Sequence, residues 1–149
     1  MTTYATDTDL QEYVPTIFDH GVASFTTELT RATADVQRWV EINWFNEHFN
    51  SGYNSVGRRI GGTFDATKLT ATQWERATIY LALYAYILPR LSPWRVESDS
   101  FQEQITFYRN RYHEEVKAEL AKGVEYDLDG DSVVETGEKF KARQDRLYR

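Results

Sequence analysis

Between Phe101 and Leu120 the large apolar and aromatic residues fall at Phe101, Ile105, Tyr108, Tyr112, Val116 and Leu120, always three or four positions apart. A strand would place its apolar residues every second position, so this spacing predicts an α-helix with one buried face. Ser98 or Asp99 can cap its start and Gly123 its end. A helix of about twenty residues is roughly 30 Å long and needs partners of similar length to cover its face.

Two other segments supply them. Over Ser24–Phe49 the residues Phe25, Leu29, Ala32, Val36, Trp39, Val40 and Asn43 repeat with helical spacing. From Thr70, Trp74, Ala77, Leu81, Tyr84 and Leu88 share a side, and the run from Ile79 to Leu88 is apolar nearly all round. That pattern marks the central, most buried helix, with Pro89 and Pro93 expected to stop it. A shorter helix is predicted in TDTDLQEYVP, residues 6–15, capped by Thr6 or Asp7 and ended by Pro15. The fold class is therefore all-α, a small bundle of about four helices.

Two stretches break the pattern. Residues 50–69 contain Gly52, Gly57, Gly61 and Gly62 with the adjacent Arg58 and Arg59, and are expected to form a long Gly-rich loop or arm. After Gly123, VEYDLDGDSVV alternates around Asp129-Gly130 and predicts a hairpin or extended arm, followed by the charged ETGEKFKARQDRLYR. The expected organisation is a helical domain over 1–123 and a C-terminal arm over 124–149.

Composition narrows the function classes. The chain has 149 residues and no cysteine, which excludes disulfides, thiolate catalysis and Cys-ligated metal. The N-terminus lacks a basic and then apolar leader, and the longest apolar run, residues 79–88, is too short to span a bilayer, so no membrane role is expected. A net charge of −6 argues against a general nucleic-acid binder. Ten Tyr and four Trp suit half-buried surfaces such as subunit interfaces, and equally a Tyr-rich core.

The most chemically suggestive stretch is YDLDGDSVVETGE, residues 126–138. Calcium loops of the EF-hand type place oxygen ligands at positions 1, 3, 5, 7, 9 and 12 with Gly at 6. With Asp127 first, Asp129, Asp131, Glu135 and Glu138 take positions 3, 5, 9 and 12, whereas position 6 is Ser132 and the glycine stands at position 4. Asp127, Asp129, Asp131 and Glu138 are therefore candidate metal ligands. The same DLDGD resembles the nucleophile loop of haloacid-dehalogenase-type phosphotransferases, but no strand–helix alternation precedes it and only 18 residues follow Asp131. The plainest reading is a solvated Asp-Gly turn.

Other sites are weaker. GRRIGG at 57–62 lacks the Lys-Ser/Thr of a phosphate loop, and His20, His48 and His113 have no partner at ligand or catalytic spacing. No nucleophile–base set can be assembled, so no enzyme activity and no cofactor are expected.

The order of these elements, with ATADVQRWV in the first long helix and YDLDGD after the last, resembles the head–tail connector proteins of tailed bacteriophages, the adaptor or head-completion family. The resemblance implies a virion protein, assembled in the host cytoplasm, that forms a ring, usually of twelve copies, below the portal. Such a ring extends the DNA channel without binding DNA specifically and presents a surface to the next neck or tail-completion protein. It further implies that the C-terminal segment reaches the portal, here through Phe140, Arg143, Leu147 and Tyr148. Arg58 and Arg59 would meet a ring neighbour or the channel. Charge patterning fits two neighbours, because residues 124–131 carry only acids whereas Glu135–Arg149 carries five bases against three acids. The competing reading is a free-standing calcium- or ligand-responsive helical binding module.

Overall fold

The computed structural model describes residues 3–49, 63–91 and 99–140. Arg58, Arg59, Arg143, Leu147 and Tyr148 lie outside them. Helix α1, Asp7–Tyr13, begins in a capping box: the Asp9 N–H donates to Thr6 Oγ1 and the Thr6 N–H to Asp9 Oδ2. Helix α2 runs Thr26–Val40 and continues as a wider π-helical stretch, Glu41–Phe49. Helix α3 comprises Ala71–Ala82, a π-helical Leu83–Ile87 and a last turn Leu88–Leu91. Helix α4 is Asp99–Lys122. Short 3₁₀ turns cover Ile17–His20, Ala66–Lys68 and Thr136–Glu138. The fold among the described residues is all-α with four helices, as the apolar spacing predicts. Among the described residues the strands are a two-residue antiparallel pair, β1 (Val124–Glu125) and β2 (Lys139–Phe140), with Val124 opposite Phe140.

One expected stop is not a stop. Pro89 lies inside the final turn of α3, because the helix widens just ahead of it: the Leu88 N–H donates to Leu83 O, five residues back. A proline ring clashes with the carbonyl four residues earlier, and a π turn displaces that carbonyl. A related adjustment accompanies the widening of α2, where Asn43 Nδ2 donates to Trp39 O at 2.9 Å.

The chain forms two compact units, residues 1–36 with 71–117, and residues 37–70 with 118–149. This differs from a boundary after Gly123, since the segment that follows Gly123 belongs with residues 37–70. In the first unit, α3 buries Trp74, Ala77, Thr78, Ile79, Leu81, Ala82, Leu83, Ile87 and Leu88. Phe25 just ahead of α2, Leu29, Ala32 and Val36 of α2, and Tyr112 and Val116 of α4 are buried with them. The Asp7 carboxylate seats α1, accepting from Ser24 Oγ (2.6 Å) and the Phe25 N–H (2.9 Å) ahead of α2. Tyr13 meets Tyr80 edge-on at 5.7 Å, Tyr80 stacks on Tyr108 at 6.1 Å, and Tyr84 lies 5.7 Å from Tyr112. Five of the ten tyrosines are thus partners along a helix seam, Tyr112 buried and the other four half-buried.

The second unit is built around Tyr126, which is 3% exposed. Its ring lies 5.5 Å from Trp44, 6.1 Å from Phe45 and 6.2 Å from Phe64. Its hydroxyl accepts the Asp65 N–H at 3.2 Å, and Leu69 bridges it across the backbone. Val124 is fully buried. These contacts tie the start of the expected arm into a core.

Candidate functional site

Gly123 ends α4 with φ +107°, its N–H reaching Glu119 O at 3.2 Å. The chain then passes through β1 and Tyr126 into the acidic loop. The loop is pinned at its entrance: the Asp127 N–H donates to Lys68 O at 2.9 Å, and Lys68 Nζ to Leu128 O at 3.3 Å. Lys68 Nζ also stands over the Tyr126 ring at 5.9 Å. Lys68 is held in turn by the 3₁₀ turn that Asp65 caps, with Thr67 N 3.0 Å from Asp65 Oδ1. The Thr67 hydroxyl, and then its N–H, keep the Asp65 carboxyl below its usual range. Sequence reasoning missed Asp65 and Lys68, although Asp-x-Thr before an apolar residue is a recognisable cap signal.

Inside the loop each aspartate accepts backbone N–H groups. Asp127 Oδ1 takes Gly130 N at 2.8 Å and Oδ2 takes Ser132 N at 2.9 Å. Asp129 Oδ1 takes Asp131 N at 3.1 Å, and Asp131 Oδ1 takes Val133 N at 2.8 Å. Glu138 closes the loop from the far end, accepting Leu128 N at 2.9 Å, Asp129 N at 3.4 Å and Glu135 N at 3.0 Å. One carboxylate oxygen from each of Asp127, Asp129 and Asp131 lies within 4.8 Å of the others. Lost hydration pushes the Asp127 carboxyl up, but the N–H groups of Gly130 and Ser132 outweigh it and hold the carboxyl below its ordinary value. Asp129 moves the other way: the Asp131 N–H lowers it, while lost hydration and the Asp131 and Glu138 carboxylates raise it further.

Position 6 of the calcium register is where the sequence departs from the motif, and the backbone there takes the form the motif needs. Ser132 has φ +70°, the left-handed conformation that Gly ordinarily supplies. Gly130 adopts φ +80° two residues earlier. In the calcium register the three aspartates take positions 1, 3 and 5, the Val133 carbonyl position 7, and Glu135 and Glu138 positions 9 and 12, oxygen donors of the kind a hard divalent cation would require.

The other expected sites fare differently. Phe140 contributes its backbone to β2, opposite Val124. His20 meets Phe101 edge-on at 6.2 Å and His113 lies tilted 5.4 Å from its neighbour Tyr112, and both histidines are exposed. No protein-family model, curated protein or solved structure matches the chain. No helix among the described residues is long and apolar enough to cross a membrane.

Proposed function

We propose that the chain is a structural protein of a tailed-bacteriophage particle, a connector subunit that forms a ring between the portal and the neck or tail and extends the DNA channel. The observation that carries this reading is the order of elements: a short capped helix, a long helix bearing ATADVQRWV, a Tyr-rich buried helix, and a long fourth helix closed by Gly123 before the acidic loop. A net charge of −6 suits a conduit through which DNA slides without adhering. The C-terminal segment, with Phe140, Arg143, Leu147 and Tyr148, engages the portal in this reading, and Arg58 and Arg59 face a ring neighbour or the channel.

Native mass spectrometry and negative-stain imaging across a concentration series test it. Rings that persist in EDTA and bind a portal are expected, and a species that never exceeds a dimer, alone or with a portal, overturns it.

A second reading, a calcium-responsive helical module, is favoured by the left-handed Ser132 at position 6 with its N–H on Asp127. Calorimetric titration of calcium separates the two: saturable heat lost in Asp127→Asn/Asp131→Asn supports the second, and absence of heat removes it.

A further inference from the structure

The exposed face of α4 carries a large aromatic side chain outside any core. Phe107 is 50% exposed, with Tyr108 5.1 Å away at its edge. Beside it runs a groove of about 420 Å³ lined by Gln102, Glu103, Thr106, Phe107 and Asn110, all on consecutive turns of this helix. The charges flanking the ring are evenly spaced and opposite in sign: Glu103 stands four residues before it and Arg111 four residues after. Positions four apart share one helix face, so acid, ring and base form a single line.

Such a line is self-complementary in one orientation. If a second α4 lies antiparallel with the two-fold axis at Phe107, each Glu103 faces the other copy's Arg111. Each Phe107 then enters the groove beside the other copy's Thr106 and Asn110. A parallel pairing would oppose Glu103 to Glu103 and Arg111 to Arg111, which is repulsive. Two-fold contacts require one patch to complement itself in this way. Arg111 is available for the exchange: it sits 5.1 Å over its own Phe107 ring and 3.8 Å from Glu114, with both charged side chains more than half exposed. An exposed ion pair of that kind is worth little and is readily traded for one across an interface.

We propose that a second copy of this chain docks on α4, as an antiparallel two-fold pair centred on Phe107 and fixed by two Glu103–Arg111 bridges. The contact is isologous, unlike the heterologous contacts that build a ring. It involves few turns of helix and belongs with small, concentration-dependent interfaces, below about 1,200 Å² of buried surface.

Sedimentation equilibrium of the full chain, with circular dichroism to confirm folding, is the test. The wild type should show a monomer–dimer equilibrium. Phe107→Ser, Glu103→Arg and Arg111→Glu should each weaken it by roughly tenfold or more, as expected for a central aromatic anchor and for like charges brought together. The double charge swap Glu103→Arg/Arg111→Glu should restore it to within a few-fold of wild type, a recovery that a merely structural role for either residue would not give. A strictly monomeric wild type, a dimer indifferent to these changes, or a charge swap that fails to recover overturns the proposal. A dimer that persists unchanged in all four variants, beside rings that form normally, overturns it while leaving the connector reading intact. Dimers that obey the charge swap but never build rings or bind a portal sustain it and remove that reading instead.

Discussion

Replacing Tyr126 asks directly whether the chain beyond Gly123 is core or arm. The side chain is 3% exposed and its ring centroid lies within 6.2 Å of Trp44, Phe45 and Phe64. Removing a buried aromatic ring costs about 3–5 kcal/mol in lost transfer energy and residual cavity. In Tyr126→Ala the Asp65 N–H, bonded to the hydroxyl at 3.2 Å, also loses its acceptor. Tyr126→Phe isolates that loss and should cost about 1 kcal/mol, toward the lower end for an orphaned donor because the site is only part-buried. For a chain of this length about 1 kcal/mol corresponds to roughly 2–4 °C in Tm, so the alanine variant should melt about 6–20 °C lower. Urea unfolding followed by circular dichroism and tryptophan fluorescence gives both values, with Leu128→Ala as the control. Leu128 is 47% exposed and should change stability by about 0.5 kcal/mol or less. If Tyr126→Ala is no more destabilising than Leu128→Ala, the second unit has no core at this point and the packing described is wrong.

Three further outcomes are expected. The hydrogen bond to Asp35, then burial, pushes the Tyr86 hydroxyl up to about 12, and burial, as the leading cause, raises Tyr80, Tyr84, Tyr108, Tyr112 and Tyr126 as well. Groups raised on folding hold their full stabilising effect below the unfolded value of 10 and lose it as pH rises through the folded one. Stability should therefore fall between pH 10 and 12, with a smaller drop in Tyr86→Phe, and tyrosinate absorbance at 295 nm should rise late and cooperatively; early independent titration would contradict the seam. Deleting Gly137–Arg149 removes Glu138 and β2, and with them the three N–H contacts that close the acidic loop and the partner of β1. A loss of about 2–4 kcal/mol is expected by denaturant titration, and unchanged melting would show the loop closes without them. Leu83→Ala, at a fully buried position, should cost about 2–5 kcal/mol, whereas Lys117→Ala on the exposed side of α4 should be near neutral; equal effects would refute the faces assigned to these helices.

The helices were legible because each buries one face for long enough to print a period on the sequence. Tyr112 and Val116 of the α4 stripe are buried, and Trp74, Ala77, Leu81 and Leu88 of α3 are buried as its spacing predicts. What the period could not show was where a helix changes its winding. The π segments at Glu41–Phe49 and Leu83–Ile87 keep a helical pattern of apolar residues while shifting the hydrogen-bond register, so Pro89 reads as a stop although the chain continues through it. Tyr126 escaped notice for a different reason. A single aromatic within an acidic stretch has no periodic neighbours, and its partners Trp44, Phe45 and Phe64 are distant in sequence. Alternation in VEYDLDGDSVV suggested a hairpin closed at Asp129-Gly130, whereas the strand that pairs with β1 comes later, at Lys139–Phe140.

The acidic loop was legible in its residues and illegible in its use of them. A turn and a calcium loop draw on the same aspartates, and what separates them is the direction in which carboxylate oxygens point. Asp127 spends one oxygen on Gly130 N and the other on Ser132 N, the bonds that steer Ser132 into its left-handed conformation without the glycine the motif prefers. Glu138 turns both oxygens onto N–H groups at Leu128, Asp129 and Glu135, so the loop is closed by its own hydrogen bonds. Calcium takes six to eight oxygens, more than three aspartates readily supply, and would have to draw Glu138 away from those donors to complete its shell. Any affinity for calcium thus depends on how the Glu138–metal contact compares with three backbone hydrogen bonds already made. The strut and the switch are alternatives competing for one carboxylate.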